Sequence, residues 1–146
     1  VPHRAELVRV LDGVSYYNDS IGTSPTRTAN GTLQLYDRKI ILIAGGYDKQ
    51  IPYDTLGPII MDKVKTLILM GATADKIEAA VKAARNYCEQ EIVILHANSM
   101  EKAVALAKEQ AQKGDIVSLS PASASFDLYP NFEARGNHFK NIVNAL

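Results

Sequence analysis

IILIAGGYDK, residues 40–49, is the clearest structural signal in this sequence. Its first half, Ile40–Ala44, is entirely apolar, and two glycines follow at once. A short, continuous apolar run that ends in glycine is typical of a β-strand buried on both faces, as in a parallel sheet. No apolar run in the chain is longer, so none reaches the roughly 20 residues that a membrane-spanning helix needs. We therefore expect this run to lie inside a sheet covered on both sides.

Other runs of strand length lie on either side of this one. Three are almost continuously hydrophobic, which again predicts strands buried on both faces, and lie at residues 66–70, 92–95 and 116–119. Near the start, the runs at residues 7–11 and 14–17 flank Asp12-Gly13, which is typical of a β-hairpin turn. Together these runs predict a sheet of about six strands.

Helical patterns separate the strand-like runs, and most have a recognisable start. Ser24-Pro25 combines an N-cap residue with a proline at the first helical position. Thr73 is placed to cap a pattern over residues 74–87. Asn98 and Glu101 form a capping-box pattern ahead of residues 103–112. The last pattern, residues 133–145, has three apolar residues on its predicted inner face: Phe139, Ile142 and Val143.

The alternation of strands and helices predicts an α/β fold. We expect a Rossmann-like, three-layer domain with a mostly parallel sheet, one antiparallel edge strand from the hairpin, and helices on both faces. The chain has the length of one domain, and we assign residues 1–146 to it. The sequence begins at Val1 in mid-pattern, and we expect it to be a piece of a longer protein.

Composition excludes some classes of function. Lys plus Arg equals Asp plus Glu at 16 each, so the basic excess of a nucleic-acid-binding protein is absent. The sequence suggests neither a nucleic-acid partner nor a membrane. The single cysteine, Cys88, rules out an internal disulfide, which fits a reducing compartment. We interpret Cys88 as a structural residue of a helix.

In parallel sheets, ligands bind at the carboxyl ends of the strands, which selects the loops at residues 18–24, 45–50, 71–73 and 120–132. In the second loop, glycines would let backbone N–H groups approach an anion, and Lys49 supplies positive charge. The loop matches neither the P-loop nor the dinucleotide-binding motif. A plain turn with a solvated lysine therefore remains an equally good interpretation of it.

The other two long loops offer hydroxyl groups and small side chains. Thr23 and Asp19 are candidates either for capping the helix after Ser24 or for binding a ligand. The run SPASAS, residues 120–125, leaves room for a ligand and contains no hydrolase elbow. The histidines lack metal-ligand spacing, so we interpret them as structural: His3, His96 and His138.

Four motifs occur in a specific order: HRAE (3–6), NDSIGTSPT (18–26), GGYDK (45–49) and GDIVSLSPASASFDLYPNFEARGNHF (114–139). In this order they resemble the C-terminal domain of the Mur ligase family, in particular its D-glutamate-adding members. The last motif is the most specific. The resemblance covers essentially the whole chain.

The resemblance implies a bacterial, cytoplasmic, ATP-dependent ligase. Such an enzyme phosphorylates the carboxylate of UDP-N-acetylmuramoyl-L-alanine to an acyl phosphate, which the amine of D-glutamate then attacks, in peptidoglycan synthesis. ATP and Mg²⁺ would be held mainly by a central domain absent from this chain. An N-terminal UDP-binding domain would also lie outside this chain. This domain would bind D-glutamate, close over ATP and be inactive alone, with neither catalytic residues nor metal ligands of its own.

The same resemblance implies roles for individual residues. Lys49 would pair with a carboxylate of D-glutamate, Thr23 and Ser125 would hydrogen-bond to the same amino acid, and Phe132 would contact it by backbone or packing. Arg4 and Asp19 would reach the nucleotide when the domains close.

Two residues depart from the family pattern, which often has Lys at the position of Ile21 and Asn at that of Ser24. Because Ile21 has no cation, a nucleotide contact at this position is not carried over from the family. Two alternatives stay open. One is a domain of another Mur ligase or of a folylpolyglutamate-synthase-like enzyme. The other is a free-standing α/β module that binds a small anion.

Overall fold

The computed structural model describes residues 2–125 and 128–146. Within these ranges the strands are β1 Glu6–Leu11, β2 Val14–Asn18, β3 Ile40–Ala44, β4 Val64–Leu69, β5 Val93–His96 and β6 Ile116–Leu119. The helices are α1 Pro25–Asn30, α2 Leu56–Lys63, α3 Ala74–Lys82, α4 Met100–Gln110 and α5 Phe132–Asn144. Short 3₁₀ turns cover Thr32–Gln34 and Glu89–Glu91. No helix among the described residues is long and apolar enough to cross a membrane.

The strands form one sheet in the order β1-β2-β6-β3-β4-β5. β1 pairs with β2 in antiparallel fashion, and every other pairing is parallel. The α/β fold with a mostly parallel sheet and one antiparallel edge strand is therefore confirmed. β3 lies between β6 and β4, and none of its five residues is more than 1% exposed.

Two hydrophobic cores lie on opposite faces of the sheet, because successive side chains of a strand point in opposite directions. Ile40, Leu42 and Ala44 pack into the core covered by α1, α2 and α3. Ile41 and Ile43 pack into the core covered by α4 and α5. The predicted three-layer arrangement is confirmed.

The helix α2 was not predicted, because its sequence LGPIIMDK has glycine and proline in the first turn. The first-turn N–H groups of a helix have no intrahelical partner, so Pro58 removes no hydrogen bond there. Gly57 has a packing role, since a Cβ at this position would overlap the backbone of Ala80 in α3. α2 and α3 therefore pack closely at this point.

The prediction for β5 was wrong in one respect. We expected a strand buried on both faces, but β5 is an edge strand and Val93 is 43% exposed. Hydrophobicity along one run does not reveal the order of strands in a sheet. The edge position leaves the side of β5 away from β4 without a partner strand among the described residues.

Some helix boundaries also differ from prediction. α4 begins at Met100, where Ser99 rather than Asn98 is the cap and accepts from the N–H of Lys102 at 3.1 Å. α3 ends at Lys82, so Cys88 lies beyond the helix that was predicted to contain it. There the side chain of Asn86 donates to the Pro58 carbonyl oxygen at 2.9 Å, which fixes a turn against α2.

Candidate functional site

The loops after β2, β3 and β6 meet at the carboxyl edge of the sheet, where backbone hydrogen bonds join them. The N–H of Gly45 donates to the carbonyl oxygen of Pro121 (2.8 Å), and that of Tyr47 donates to Ala124 (2.8 Å). The carbonyl oxygen of Gly22 accepts from the loop after β6 at 3.0 Å. The three loops are therefore built as one unit.

The glycines of GGYDK serve this loop packing. Gly45 has a φ of +107°, which favours glycine, and a Cβ there would overlap the carbonyl oxygen of Met70. A Cβ on Gly46 would lie 2.5 Å from the carbonyl oxygen of Ala124. The N–H of Gly46 donates to the hydroxyl of Thr73 at 3.0 Å. Of the two interpretations that the sequence left open, anion binding by these N–H groups does not hold for Gly45 and Gly46, because they join the loops to one another.

A buried hydroxyl network supports the small-residue run after β6. The Ser123 hydroxyl shares hydrogen bonds with Thr73 Oγ1 (2.8 Å) and with the hydroxyl of Tyr53 (2.7 Å). Tyr53 also donates to the carbonyl oxygen of Ala122 at 3.2 Å. Thr73 was expected to cap α3, but its hydroxyl serves this network. The early part of the run thus packs inside the protein, and only its end is placed to meet a ligand.

A cavity of about 320 Å³ opens beside this unit. The structure brings together around it all four residues that the resemblance assigned to D-glutamate: Thr23, Lys49, Ser125 and Phe132. Ala124, Asn131 and Glu133 complete the lining. We name it the amino-acid cavity after the ligand that the resemblance implies. It joins the loops after β2, β3 and β6 to the first turn of α5, which begins one residue earlier than predicted.

Lys49 is the cation of the amino-acid cavity. It is exposed, and its ammonium group has no ion-pair partner among the described residues. The neighbouring Asp48 does not neutralise it, because Asp48 pairs with Lys76 at 2.7 Å. The Lys76 ammonium group also holds the pKa of Asp48 below its usual value. No ion pair within the described part of the chain therefore competes with a carboxylate ligand for Lys49.

The two residues assigned to the nucleotide, Arg4 and Asp19, line a second cavity of about 220 Å³. Its other lining residues are Ala5, Arg27, Gly31, Thr32 and Leu35. We name it the arginine cavity. It shares no lining residue with the amino-acid cavity, although one loop, residues 19–24, contributes to both.

Asp19 is a buried carboxylate, only 3% exposed. One oxygen accepts from the N–H of Ala5 at 3.0 Å, and the other accepts from the hydroxyl of Thr32. Burial raises the pKa of Asp19, and the two hydrogen bonds and the nearby Arg27 and Arg4 oppose this shift. Asp19 therefore ties the N-terminal segment to the turn after α1.

Helix capping in this loop falls to Ser24, as predicted. Its hydroxyl accepts from the N–H of Arg27 at 3.2 Å, and Pro25 occupies the first position of α1. Neither Thr23 nor Asp19 caps the helix, so that interpretation of the two residues was wrong. Ile21, at the position where a cation is missing, donates its N–H to the carbonyl oxygen of His3 at 3.0 Å.

His3 is structural, and it connects the N-terminal segment to the amino-acid cavity. It is 8% exposed, and its Nδ1 lies 3.0 Å from the amide nitrogen of Asn18. Its ring meets that of Phe132 edge-on, with centroids 5.9 Å apart. A Cβ on Gly136 would overlap the same ring, so glycine is required where α5 faces His3.

Arg135 is a supporting residue that the sequence analysis missed. It is 3% exposed and donates to both the hydroxyl and the carbonyl oxygen of Ser20, and to the carbonyl oxygen of Ser123 at 2.9 Å. The Ser20 hydroxyl in turn donates to the carbonyl oxygen of Phe132 at 2.7 Å. A signal was present, since Arg135 lies at helical spacing between the inward residues Phe132 and Phe139.

One further group of potential ligands lies on α3 and β5. Asp75, Glu78 and His96 each place a ligand atom within 4.8 Å of the others. Glu78 is already shared between His96 (2.7 Å) and Lys82 (2.9 Å), and the hydrogen bond from Lys82 lowers its pKa. These contacts make Glu78 and His96 members of a surface ion-pair network.

The fold is shared with solved ligase structures. A murein peptide ligase from Psychrobacter arcticus superposes with a TM-score of 0.61 at 16% identity, covering 99% of this chain and 30% of that one. A bifunctional folylpolyglutamate synthase/dihydrofolate synthase from Yersinia pestis, solved with AMPPNP and a Mn ion, gives a TM-score of 0.60 at 15% identity, covering 99% and 31%. At these identities the likeness shows the fold alone.

The sequence comparisons go further. UDP-N-acetylmuramoylalanine–D-glutamate ligases of Clostridium botulinum strain Okra and of Acetivibrio thermocellus are 57% and 55% identical, each over 148 residues and 100% of this chain. The chain spans 32% of the length of either relative. A family model described as the glutamate ligase domain of Mur ligases matches residues 3–123. The predicted resemblance is confirmed, and the chain belongs to the Mur ligase family.

Proposed function

We propose that this chain is the amino-acid-binding domain of an ATP-dependent ligase that adds D-glutamate to UDP-N-acetylmuramoyl-L-alanine. The ligase would act in the bacterial cytoplasm, through an acyl phosphate, in peptidoglycan synthesis. The chain would form its C-terminal domain over residues 1–146. The N-terminal and central domains of the same enzyme would hold the UDP substrate and most of the ATP and Mg²⁺.

The amino-acid cavity is the observation that carries this proposal. It combines the ammonium group of Lys49, hydroxyls on Thr23 and Ser125, and an aromatic wall at Phe132. A dicarboxylic amino acid needs a cation and neutral donors at separate points, because each carboxylate must replace its lost water contacts. A volume of about 320 Å³ is at the small end for a ligand pocket and suits an amino acid.

The loops that carry these donors are held in place before a ligand binds, which favours binding. The loops bearing Thr23, Lys49 and Ser125 are joined by backbone hydrogen bonds, so little conformational entropy is lost when a ligand binds. Positioning of the amine nucleophile near the acyl phosphate converts a bimolecular step into an effectively unimolecular one. The chain would thus contribute to catalysis by holding D-glutamate.

Closure over ATP would bring the arginine cavity to the nucleotide. Arg4 would supply positive charge there. Asp19 would act at least in part by holding Ala5, and hence Arg4, in place, since both of its oxygens already accept hydrogen bonds. Mg²⁺ supplies charge neutralisation on the ATP phosphates when bound. The chain alone would not hydrolyse ATP.

Amide resonances of this chain, followed by NMR during titration, test the proposal. We expect D-glutamate to shift the signals of Thr23, Lys49 and Ser125, and L-glutamate or D-alanine to shift them much less. Equal responses to all three amino acids, or shifts confined to another surface, would overturn the assignment. ATP turnover by the chain alone, surviving repurification, would show that the phosphate-handling residues are misplaced.

A further inference from the structure

Arg27 lines the arginine cavity beside Arg4, although no sequence motif assigned it a role. It occupies the third position of α1, whose start is fixed by the Ser24 cap and by Pro25. Thr28 and Ala29 are buried, whereas Arg27 is exposed. The buried neighbours Thr28 and Ala29 therefore fix the backbone at Arg27, while the exposed Arg27 side chain lines the cavity.

The guanidinium groups of Arg4 and Arg27 have no hydrogen-bond or ion-pair partner among the described residues. Structural arginines of this protein behave differently. Arg9 donates to the carbonyl oxygens of Val143 and Leu146, both at 3.1 Å, and Arg135 donates to three oxygens. The donors of Arg4 and Arg27 thus remain available to a ligand.

Charge in the arginine cavity is unbalanced. Asp19 is the acidic residue of its lining, and both arginines lie close enough to stabilise its charged form. The two oxygens of Asp19 already accept from Ala5 and Thr32, so neither arginine is held by it. Two cations against one buried anion leave a net positive charge, which favours an anionic ligand.

We infer that Arg27, together with Arg4, binds a phosphate group of a nucleotide substrate in the arginine cavity. Guanidinium groups form paired, charge-assisted hydrogen bonds with phosphate oxygens. A cavity of about 220 Å³ is smaller than the usual ligand pocket, so it fits the phosphate part of a nucleotide better than the whole molecule. Arg27 is then a binding residue for the reaction, and Asp19 positions Arg4 through the hydrogen bond from the N–H of Ala5.

This inference rests on the proposed function, in which two substrates carry phosphate: ATP and the UDP-linked acceptor. The test uses the full-length ligase that contains this chain, with an Arg27→Gln variant. We expect the KM for one of these two substrates to rise roughly tenfold or more, as for loss of a charge-assisted hydrogen bond. A rise for ATP alone assigns its phosphate chain to the cavity, and a rise for the UDP substrate alone assigns its diphosphate.

Calorimetric titration with AMPPNP and Mg²⁺, and separately with the UDP substrate, gives a second measurement that needs no turnover. The dissociation constant should rise by a similar factor for the same ligand. Arg27→Lys should recover only part of the loss, because a lysine ammonium lacks the planar fork. Arg85→Gln, the same change at an exposed arginine after α3, is the matched control and should leave both constants unchanged.

Each outcome separates this inference from the proposed function. If Arg27→Gln leaves the KM and the dissociation constant of both substrates within twofold of wild type, the inference fails, and D-glutamate-dependent turnover still supports the function. If the wild-type enzyme shows no D-glutamate-dependent turnover, the function fails, and the calorimetric titrations still decide whether Arg27 binds phosphate.

Discussion

Arg135 is joined to Ser20 by two hydrogen bonds, from Nε to the hydroxyl at 3.0 Å and from Nη2 to the carbonyl oxygen at 2.8 Å. Ser20 belongs to the loop after β2 and Arg135 to the first turns of α5. Since Thr23 lies on the same loop and Phe132 begins the same helix, this pair fixes two sides of the amino-acid cavity relative to one another.

Arg135→Met tests this relationship. Methionine has a similar length but no donors, so the carbonyl oxygens of Ser20 and Ser123 would lose the guanidinium as a partner inside the protein. Each buried group left unsatisfied costs about 1–3 kcal/mol, and we expect a loss of about 3 kcal/mol or more in the free energy of unfolding. Denaturant unfolding measures it. Arg85→Met, at an exposed site, should change stability by less than about 0.5 kcal/mol. Similar values for the two variants would contradict the assigned role.

Much of the fold could be predicted because its signals are local. Ile40–Ala44 is apolar throughout, and it forms the buried strand that this pattern predicts. The start of α2 could not be recognised, because Gly57 and Pro58 oppose a helix locally and only its packing against Ala80 explains the glycine. The edge position of β5 depends on strand order, which no single run of sequence encodes.

The site could be predicted only in part. The strand-end rule selected loops that meet at one cavity, but Thr23, Lys49, Ser125 and Phe132 became one set only through resemblance. The packing roles of Gly45 and Gly46 could not be predicted, since the loops that require these glycines come from distant parts of the chain. Pairwise contacts of this kind leave no periodicity in the sequence.

Gly136→Ala should disturb the packing of the N-terminal segment, at His3, against α5. The new Cβ would overlap the ring of His3 and lie 2.9 Å from the amide nitrogen of Asn18. Overpacking of this kind costs about 1–3 kcal/mol, although alanine is the better helix former. Thermal unfolding and the imidazole NMR signals of His3 are the measurements.

Asn137→Ala, at the next and exposed position of α5, is the control for helix propensity. We expect this variant to be at least as stable as wild type, because alanine favours the helix and nothing buried is disturbed. If Gly136→Ala were equally stable and left the His3 signals unchanged, the contact between His3 and α5 would not have the role that we assign to it.

The contacts of Glu6 predict how the stability of the fold changes with pH. Burial acts to raise its pKa, but hydrogen bonds from the N–H of His3 (3.0 Å) and from Lys140 (2.9 Å) outweigh this and leave the pKa lowered. The ionised carboxylate therefore contributes stability above the pKa of the unfolded chain, about 4.3 for glutamate. That contribution is lost as the pH falls through the lower, folded-state value.

We expect Glu6→Gln to be less stable than wild type near pH 7 and to approach wild type below about pH 4. Denaturant unfolding at a series of pH values measures the difference. Glu109→Gln, on the exposed side of α4, should show a nearly constant difference over the same range. A gap between Glu6→Gln and wild type that does not change with pH would show that the Glu6 contacts are not charge-dependent.

Lys49→Ala in the full-length ligase tests the proposed contact with D-glutamate. Loss of a charge-assisted hydrogen bond costs about 1.5–3 kcal/mol, so we expect a rise of roughly ten- to more than a hundredfold in the KM for D-glutamate. The effect should fall on KM if the contact is equal in the ground and transition states. The KM values for ATP and for the UDP substrate should change much less, because other parts of the enzyme hold those ligands.

Lys49→Arg should restore only part of the affinity for D-glutamate, because a planar guanidinium does not superimpose on a compact ammonium group. Lys108→Ala, at an exposed position of α4, is the matched control and should leave all three KM values unchanged. The competing interpretation makes Lys49 a solvated lysine beside two glycines that only join loops. That interpretation predicts identical kinetics for Lys49→Ala and Lys108→Ala. The ammonium group of Lys49 has no ion-pair partner in the described ranges, and Asp48 beside it is already paired with Lys76, which favours a substrate carboxylate as the partner of Lys49.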